Sequence, residues 1–251
     1  MSCLVRSMTI LLARSRAALS FALIESAGWF GATDPSERDT NQPIPFGYTV
    51  FLHRRWVIGL DIVSTAQAEL EKRLAEGLPL VGASPSDEQV AVLARFLRLL
   101  DKWNKAFNLS GVRDPLEMVT RHVLDSVSVS PYLHGLSVLD VGTGAGLPGM
   151  PLALMDPQRQ FSLLDSGGKK IRFVRHAVGE MAIGNVSIVH ERVEDYAPAD
   201  PFDTVLCRAF TSIGDFARRC GHLAGNGGRL IAMKGRFHEA ELASLDRKSV
   251  V

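Results

Sequence analysis

From residue 64 to about 130 the apolar positions recur at helical spacing. Leu70 and Leu74 stand four apart among Glu69, Glu71, Lys72 and Arg73, which predicts an amphipathic helix over 64–77. Gly77 and Pro79 stop it. A second helix opens at Ser86 or Asp87, both favourable cap residues. Val90, Leu93, Phe96, Leu97 and Leu100 fall on one face of it, and Trp103 and Phe107 continue that stripe. Those two rings read first as core, with stacking on a base as the alternative. Asp114-Pro115-Leu116-Glu117 is a helix start. The aspartate caps, the proline takes the first helical position, and the glutamate reaches back to the cap amide. That helix runs through Met118, His122 and Leu124 toward Val129 and ends before Pro131. Residues 64–135 are thus expected to form a helical N-terminal subdomain.

From Ser137 the pattern changes. Apolar runs at 137–141, 160–165, 186–190, 203–207 and 229–234 alternate with helical stretches, notably 169–181 and 213–222. Buried runs of this kind, alternating with helices, predict an α/β domain over 136–251 with a doubly wound, Rossmann-like parallel sheet. Residues 1–63 stand apart. Arg6, Arg14 and Arg16 flank apolar stretches at 9–13 and 17–24, and Asp34-Pro35 opens a loop. No motif or helix cap is evident there, so a poorly ordered extension is expected, with a targeting segment as the alternative. No apolar run is long enough to span a bilayer.

Composition narrows the partners. The 251 residues carry a formal net charge of +1, so any nucleic-acid surface must be a local patch. Cys3, Cys207 and Cys220 form no CxxC pair, which argues against a structural metal or a disulfide framework. A cytoplasmic monomer is the default expectation.

The candidate chemistry centres on Val138-Leu139-Asp140-Val141-Gly142-Thr143-Gly144-Ala145-Gly146. A strand delivers the chain to a loop whose glycines permit positive φ and close backbone approach to a ligand. Gly144, Gly146 and Gly149 also satisfy GxGxxG, the pattern that holds a dinucleotide's pyrophosphate. Two details favour S-adenosylmethionine, which has no pyrophosphate. Asp140 lies two residues before Gly142, where an acid can receive the methionine ammonium and would oppose a diphosphate. Asp165 ends the next strand, placed to accept from ribose hydroxyls in either cofactor. In methyltransferase sheets the turn here occupied by Val193-Glu194-Asp195 contacts the adenine. In that architecture the strand end here occupied by Cys207-Arg208 would face the methyl group, with a structural ion pair as the plainer role for Arg208.

Several ordered motifs then converge. They are Lys102-Trp103-Asn104-Lys105-Ala106-Phe107-Asn108-Leu109, Val112-Arg113-Asp114-Pro115, Arg121-His122-Val123-Leu124-Asp125-Ser126, and Asp140 through Gly149. Leu164-Asp165-Ser166, Lys169-Lys170-Ile171-Arg172-Phe173, Cys207 through Phe210 and Met233-Lys234-Gly235 follow. From about Glu69 to about Leu245 the chain resembles the bacterial 16S ribosomal RNA guanine-N7 methyltransferase family, also called RsmG or glucose-inhibited division protein B. The resemblance implies a class I methyltransferase fold and S-adenosyl-L-methionine as cofactor. It places cofactor contacts at Gly142, Leu147, Val193, Glu194 and Arg208, with Asp165 as the ribose-facing acid. Asp140 and Gly144 join them from the loop reading. The partner implied is 16S ribosomal RNA or a small-subunit precursor. Arg121, His122, Lys169, Lys170, Arg172 and Lys234 are the leading RNA candidates, with Arg113, Arg175 and Arg236 behind them.

Two departures from the family stand out. Residues 1 to about 60 have no counterpart. After Leu245 the chain ends within a few residues where the family continues into two last strands. An unpaired sheet edge is therefore expected. Guanine N7 has a free lone pair, so the reaction needs no general base, and Arg208 is assigned a positioning role. Two alternatives stay open. One is an NAD-dependent oxidoreductase built on the same loop. The other is an RNA-binding relic without catalysis.

Overall fold

Ser86, one of the two cap candidates, starts the second helix. Its hydroxyl accepts from the Gln89 amide while the Gln89 side chain accepts from the Ser86 amide, a reciprocal capping box. The computed structural model describes residues 9–14, 54–208 and 212–235, with side chains from residue 65 onward. The helices before the main sheet begin with α1 (Arg54–Gly77) and α2 (Asp87–Phe107). α1 therefore begins at Arg54, upstream of the expected Ser64. Asp114 caps α3 (Pro115–Met118), its carboxylate accepting from the Leu116 amide. The expected continuous helix is then interrupted. Residues Val119–Leu124 form a wide π-helical turn before α4 (Asp125–Val127). Two carbonyls of that turn are met by side chains: Ser126 Oγ donates to His122 O at 2.5 Å and Arg208 donates to Arg121 O at 3.2 Å. These bonds offset the poorer backbone hydrogen bonding of a π turn.

The sheet is six-stranded and parallel throughout. Its strands are β1 (Thr9–Arg14), β2 (Ser137–Val141), β3 (Gln160–Leu164), β4 (Val186–Val189), β5 (Phe202–Arg208) and β6 (Ala224–Lys234). They lie in the order β1-β6-β5-β2-β3-β4. The crossovers carry α5 (Gly149–Met155), α6 (Gly168–Glu180) and α7 (Ile213–Cys220). Every strand from β2 onward falls within a few residues of its predicted position.

Of the first 63 residues, expected as a poorly ordered extension, the described ones include β1 and the start of α1. β1 pairs in parallel with β6, Thr9 opposite Arg229 and Arg14 opposite Lys234. Among the described residues no strand follows β6, yet its outer edge is not open, because β1 satisfies it. A short apolar run has no periodicity that distinguishes a strand from a targeting segment, which is why residues 9–14 misled. The loop expected near Asp34-Pro35 and the C-terminal stretch from 236, including Arg236, lie outside the described residues.

Alternation along the strands sends residues into two cores. One face of the sheet packs against α7 through Leu139, Val141, Val205 and Phe216. On the other, Leu74, Phe96, Leu100 and Val123 from the helical subdomain meet Leu163, Phe173, Leu206 and Ile231 in a single cluster. The subdomain and the sheet therefore share one core, with each fully buried Leu or Phe contributing about 1.5–3 kcal/mol.

Candidate cofactor site and its surroundings

The loop after β2 is held from beneath by one aspartate and from the side by another. Asp140 is fully buried. Its Oδ2 accepts from Thr143 Oγ1 at 2.7 Å and from the Gly149 amide at 2.8 Å. Gly149 is glycine because a Cβ there would stand 2.1 Å from Leu163 Cδ2 and 2.8 Å from that same carboxylate oxygen. Asp165 Oδ2 accepts from the Gly144 amide at 2.9 Å, and its Oδ1 from the Gly167 amide at 2.7 Å. The Gly142 and Thr143 amides both donate to Leu164 O at the end of β3. Gly142 sits at φ +71°, and a Cβ on it would meet nothing within 4 Å. Its space opens outward. Burial pushes the Asp140 carboxyl up to about 6, and its Oδ1 has no hydrogen-bond partner.

That open face borders a cavity of about 330 Å³. Gly142, Asp165, Val193 and Glu194 line it together with Val141, Leu164, Ser166, Lys170, Arg192 and Arg219. It lies at the carboxyl ends of β2 and β3, where α/β sheets bind their ligands. A larger groove of about 580 Å³ lies elsewhere, between α1, α2 and the end of α6, away from the loop. Charges around the smaller cavity are paired across elements: Lys170 Nζ is 3.6 Å from Asp165, and Arg219 is 2.8 Å from Glu194. Asp140 lies beneath the loop and does not line the cavity. Leu147 is 4 % exposed and its side chain belongs to the core shared with the helices, so its side chain is not a wall of the site. Among the described residues no cluster of His, Cys, Asp and Glu is placed to hold a metal ion.

Among the described residues Arg208 does not line this cavity either. It stands at the end of β5, 3.5 Å from Asp125 and bonded to Arg121 O, and so ties the π turn to the sheet. His122, expected on an RNA-facing surface, is instead 6 % exposed. Its Nε2 is 2.7 Å from Ser110 Oγ. Ser110 is in turn fixed by Asn104, whose Oδ1 accepts from the Ser110 amide and whose Nδ2 donates to Val112 O. Burial, assisted by the charges of Arg208 and Arg121, pulls the imidazole down to about 4, and its Nδ1 has no hydrogen-bond partner. A neutral histidine serving as an internal tie explains why the surface reading fails. Arg121, Lys169, Lys170 and Arg172 are exposed, and Lys234 is half-buried. Arg113 bonds Asn108 Oδ1 and the Asn104 carbonyl.

Sequence reasoning missed Thr143, Ser110, Arg192 and Arg219. Only Thr143 carried a signal, a hydroxyl three residues after a buried acid. Ser110 reaches His122 and Arg219 reaches Glu194 only through the fold, which also brings Arg192 to the cavity.

A parallel, doubly wound sheet with a glycine loop after a central strand and an acid closing the next defines a cofactor-binding α/β enzyme fold. Within that class the chain belongs to the family described as rRNA small subunit methyltransferase G, whose profile matches residues 89–251. A ribosomal RNA small subunit methyltransferase G of Pasteurella multocida is 46% identical over 189 residues, covering 75% of this chain and 90% of the relative. One of Salmonella arizonae is 49% identical over 173 residues, covering 69% and 84%. Among solved structures, coclaurine N-methyltransferase bound to N-methylheliamine and SAH superposes with a TM-score of 0.42 at 16% identity, over 71% of this chain and 63% of that one. The oxidoreductase alternative is not favoured by this membership.

Proposed function

We propose that the protein transfers the methyl group of S-adenosylmethionine to N7 of a guanine in 16S ribosomal RNA, acting in the cytoplasm on the small subunit or its precursor. The observation that carries the reading is the family match, which spans the whole cavity. The residues present also fit the cofactor. A buried carboxylate with an unpartnered oxygen beneath the loop suits a nearby cation and opposes a pyrophosphate. The open space at Gly142 admits a ligand against the backbone.

In this reading Asp140 Oδ1 receives the cofactor's ammonium through a water, given its burial. Asp165 uses one lone pair on each oxygen for the loop amides, which leaves capacity for ribose hydroxyls. Val193 and Glu194 flank the adenine, with Arg219 orienting Glu194. Gly144 and Leu147 contribute main chain. The bound cofactor supplies an electrophilic methyl group. Guanine N7 is a nucleophile in the neutral base, so the protein removes no proton before transfer. Its residues act by positioning: Arg208 clamps the π turn against the sheet end, and exposed Arg121, Lys169, Lys170, Arg172 and half-buried Lys234 face RNA phosphates.

Incubation with labelled S-adenosylmethionine and undermodified small-subunit RNA is expected to label guanine N7. Label on an exocyclic amine, or on protein alone, overturns the proposal. Stabilisation by NAD and not by S-adenosylhomocysteine revives the oxidoreductase.

A further inference from the structure

α2 ends on an aromatic residue that the core does not enclose. Phe107 is 39 % exposed, and Asn108 turns the chain away from it in a left-handed conformation. The ring is not isolated. Trp103 lies 5.2 Å from Phe107 and 5.2 Å from His176 between centroids, and its own anchor is buried Phe173, 5.6 Å away in an edge-on contact. Four rings thus join α2 to α6 through Trp103, with Phe107 and His176 exposed.

From Lys169 to Arg175 the charged residues of α6 are all basic, with Glu180 the first acid. Lys169 and Arg172 share the helical face of His176, and Arg175 lies next to them in sequence. All three are exposed, and among the described residues none makes an ion pair or side-chain hydrogen bond. The same helix begins at the cavity, where Lys170 meets Asp165. From Lys169 to His176 the helical rise covers about 10 Å, within reach of nucleotides next to a target base. We propose that Phe107, backed by Trp103 and His176, is a stacking platform for an unpaired base flanking the methylated guanine, with Lys169 and Arg172 holding the adjoining phosphates. Sequence-tolerant binding of single strands combines these same two elements.

The proposal rests on the RNA-methyltransferase reading but is tested apart from it. The full chain and its Phe107→Ala, Phe107→Leu and Phe107→Tyr variants are compared for Kd on undermodified 16S RNA at fixed salt, with S-adenosylhomocysteine affinity and Tm as controls. Alanine and leucine are expected to weaken Kd about tenfold, and tyrosine to leave it close to the parent value. Cofactor affinity and Tm stay unchanged. Lys169→Ala and Arg172→Ala each make the dependence of log K on log salt shallower by about 0.7. An alanine variant that binds as tightly as the parent, a leucine variant that matches tyrosine, or a parent that binds no RNA overturns the platform. Methyl transfer by the parent is scored separately, so a protein that binds RNA through Phe107 yet labels nothing overturns only the catalytic reading.

Discussion

At the scale of single residues, two buried groups titrate in opposite senses. His122 is pulled from 6.5 to about 4. Between those values the unfolded chain binds more protons at this position than the native one, so its contribution to stability is lost as pH falls from 6.5 toward 4. Asp140 is pushed from 3.8 to about 6. There the native state binds more protons, so its contribution is present below 3.8 and lost as pH rises through 6. Each slope approaches about 1.4 kcal/mol per pH unit, and over pH 4–6 they cancel. In urea unfolding across that range, a His122→Gln variant is expected to grow more stable as pH falls, while the parent stays comparatively flat. A variant curve parallel to the parent's contradicts the assignment. Gly142 supports a second prediction. Gly142→Val places a side chain into the cavity and strains a left-handed position, so calorimetry is expected to find S-adenosylhomocysteine binding abolished with the fold retained. Unchanged affinity would mean that the ligand approaches elsewhere.

At the scale of elements, the π turn is the feature that repays measurement. Its tie to the sheet is Arg208, and the partner Asp125 is itself partly exposed, so the ion pair adds little to stability. Arg208→Ala is therefore expected to lower the rate of methyl transfer well before it lowers Tm. Equal activity at equal Tm would reduce Arg208 to a spare surface charge. The turn was not legible in the sequence. Val119, Val123 and Leu124 give an apolar spacing that an ordinary helix satisfies equally well. One carbonyl of the turn is met by a guanidinium 87 residues away, which no local pattern announces. By contrast, the caps at Ser86 and Asp114 were legible because each uses neighbours only a few residues on. The glycine loop was legible for the same reason, and so were the parallel strands, whose burial on both faces writes them as apolar runs. Glu194 could be picked out by its place after β4, but its partner Arg219 on α7 could not, since nothing local links them.

At the scale of the whole molecule, β1 completes the sheet from the opposite end of the chain. Removal of residues 1–14 leaves the outer edge of β6 without a partner among the described residues, and an open edge recruits other strands. The truncated protein is expected to show a lower Tm by calorimetry and concentration-dependent association by sedimentation. A monomer with the parent Tm would mean that β6 needs no cover. The helices bear on the sheet differently. Leu74, Phe96 and Leu100 interlock with Leu163, Phe173 and Ile231 in one packed interior, and Phe96 meets Phe173 ring against ring at 6.2 Å. In the language of inheritance, this joins two halves that the order of elements separates. A genetic crossover at Gly135, between the last helical turn and β2, appears on paper to exchange a module between relatives. It would in fact marry one parent's Phe96 to the other parent's Phe173, so the two halves are expected to diverge together and to recombine poorly.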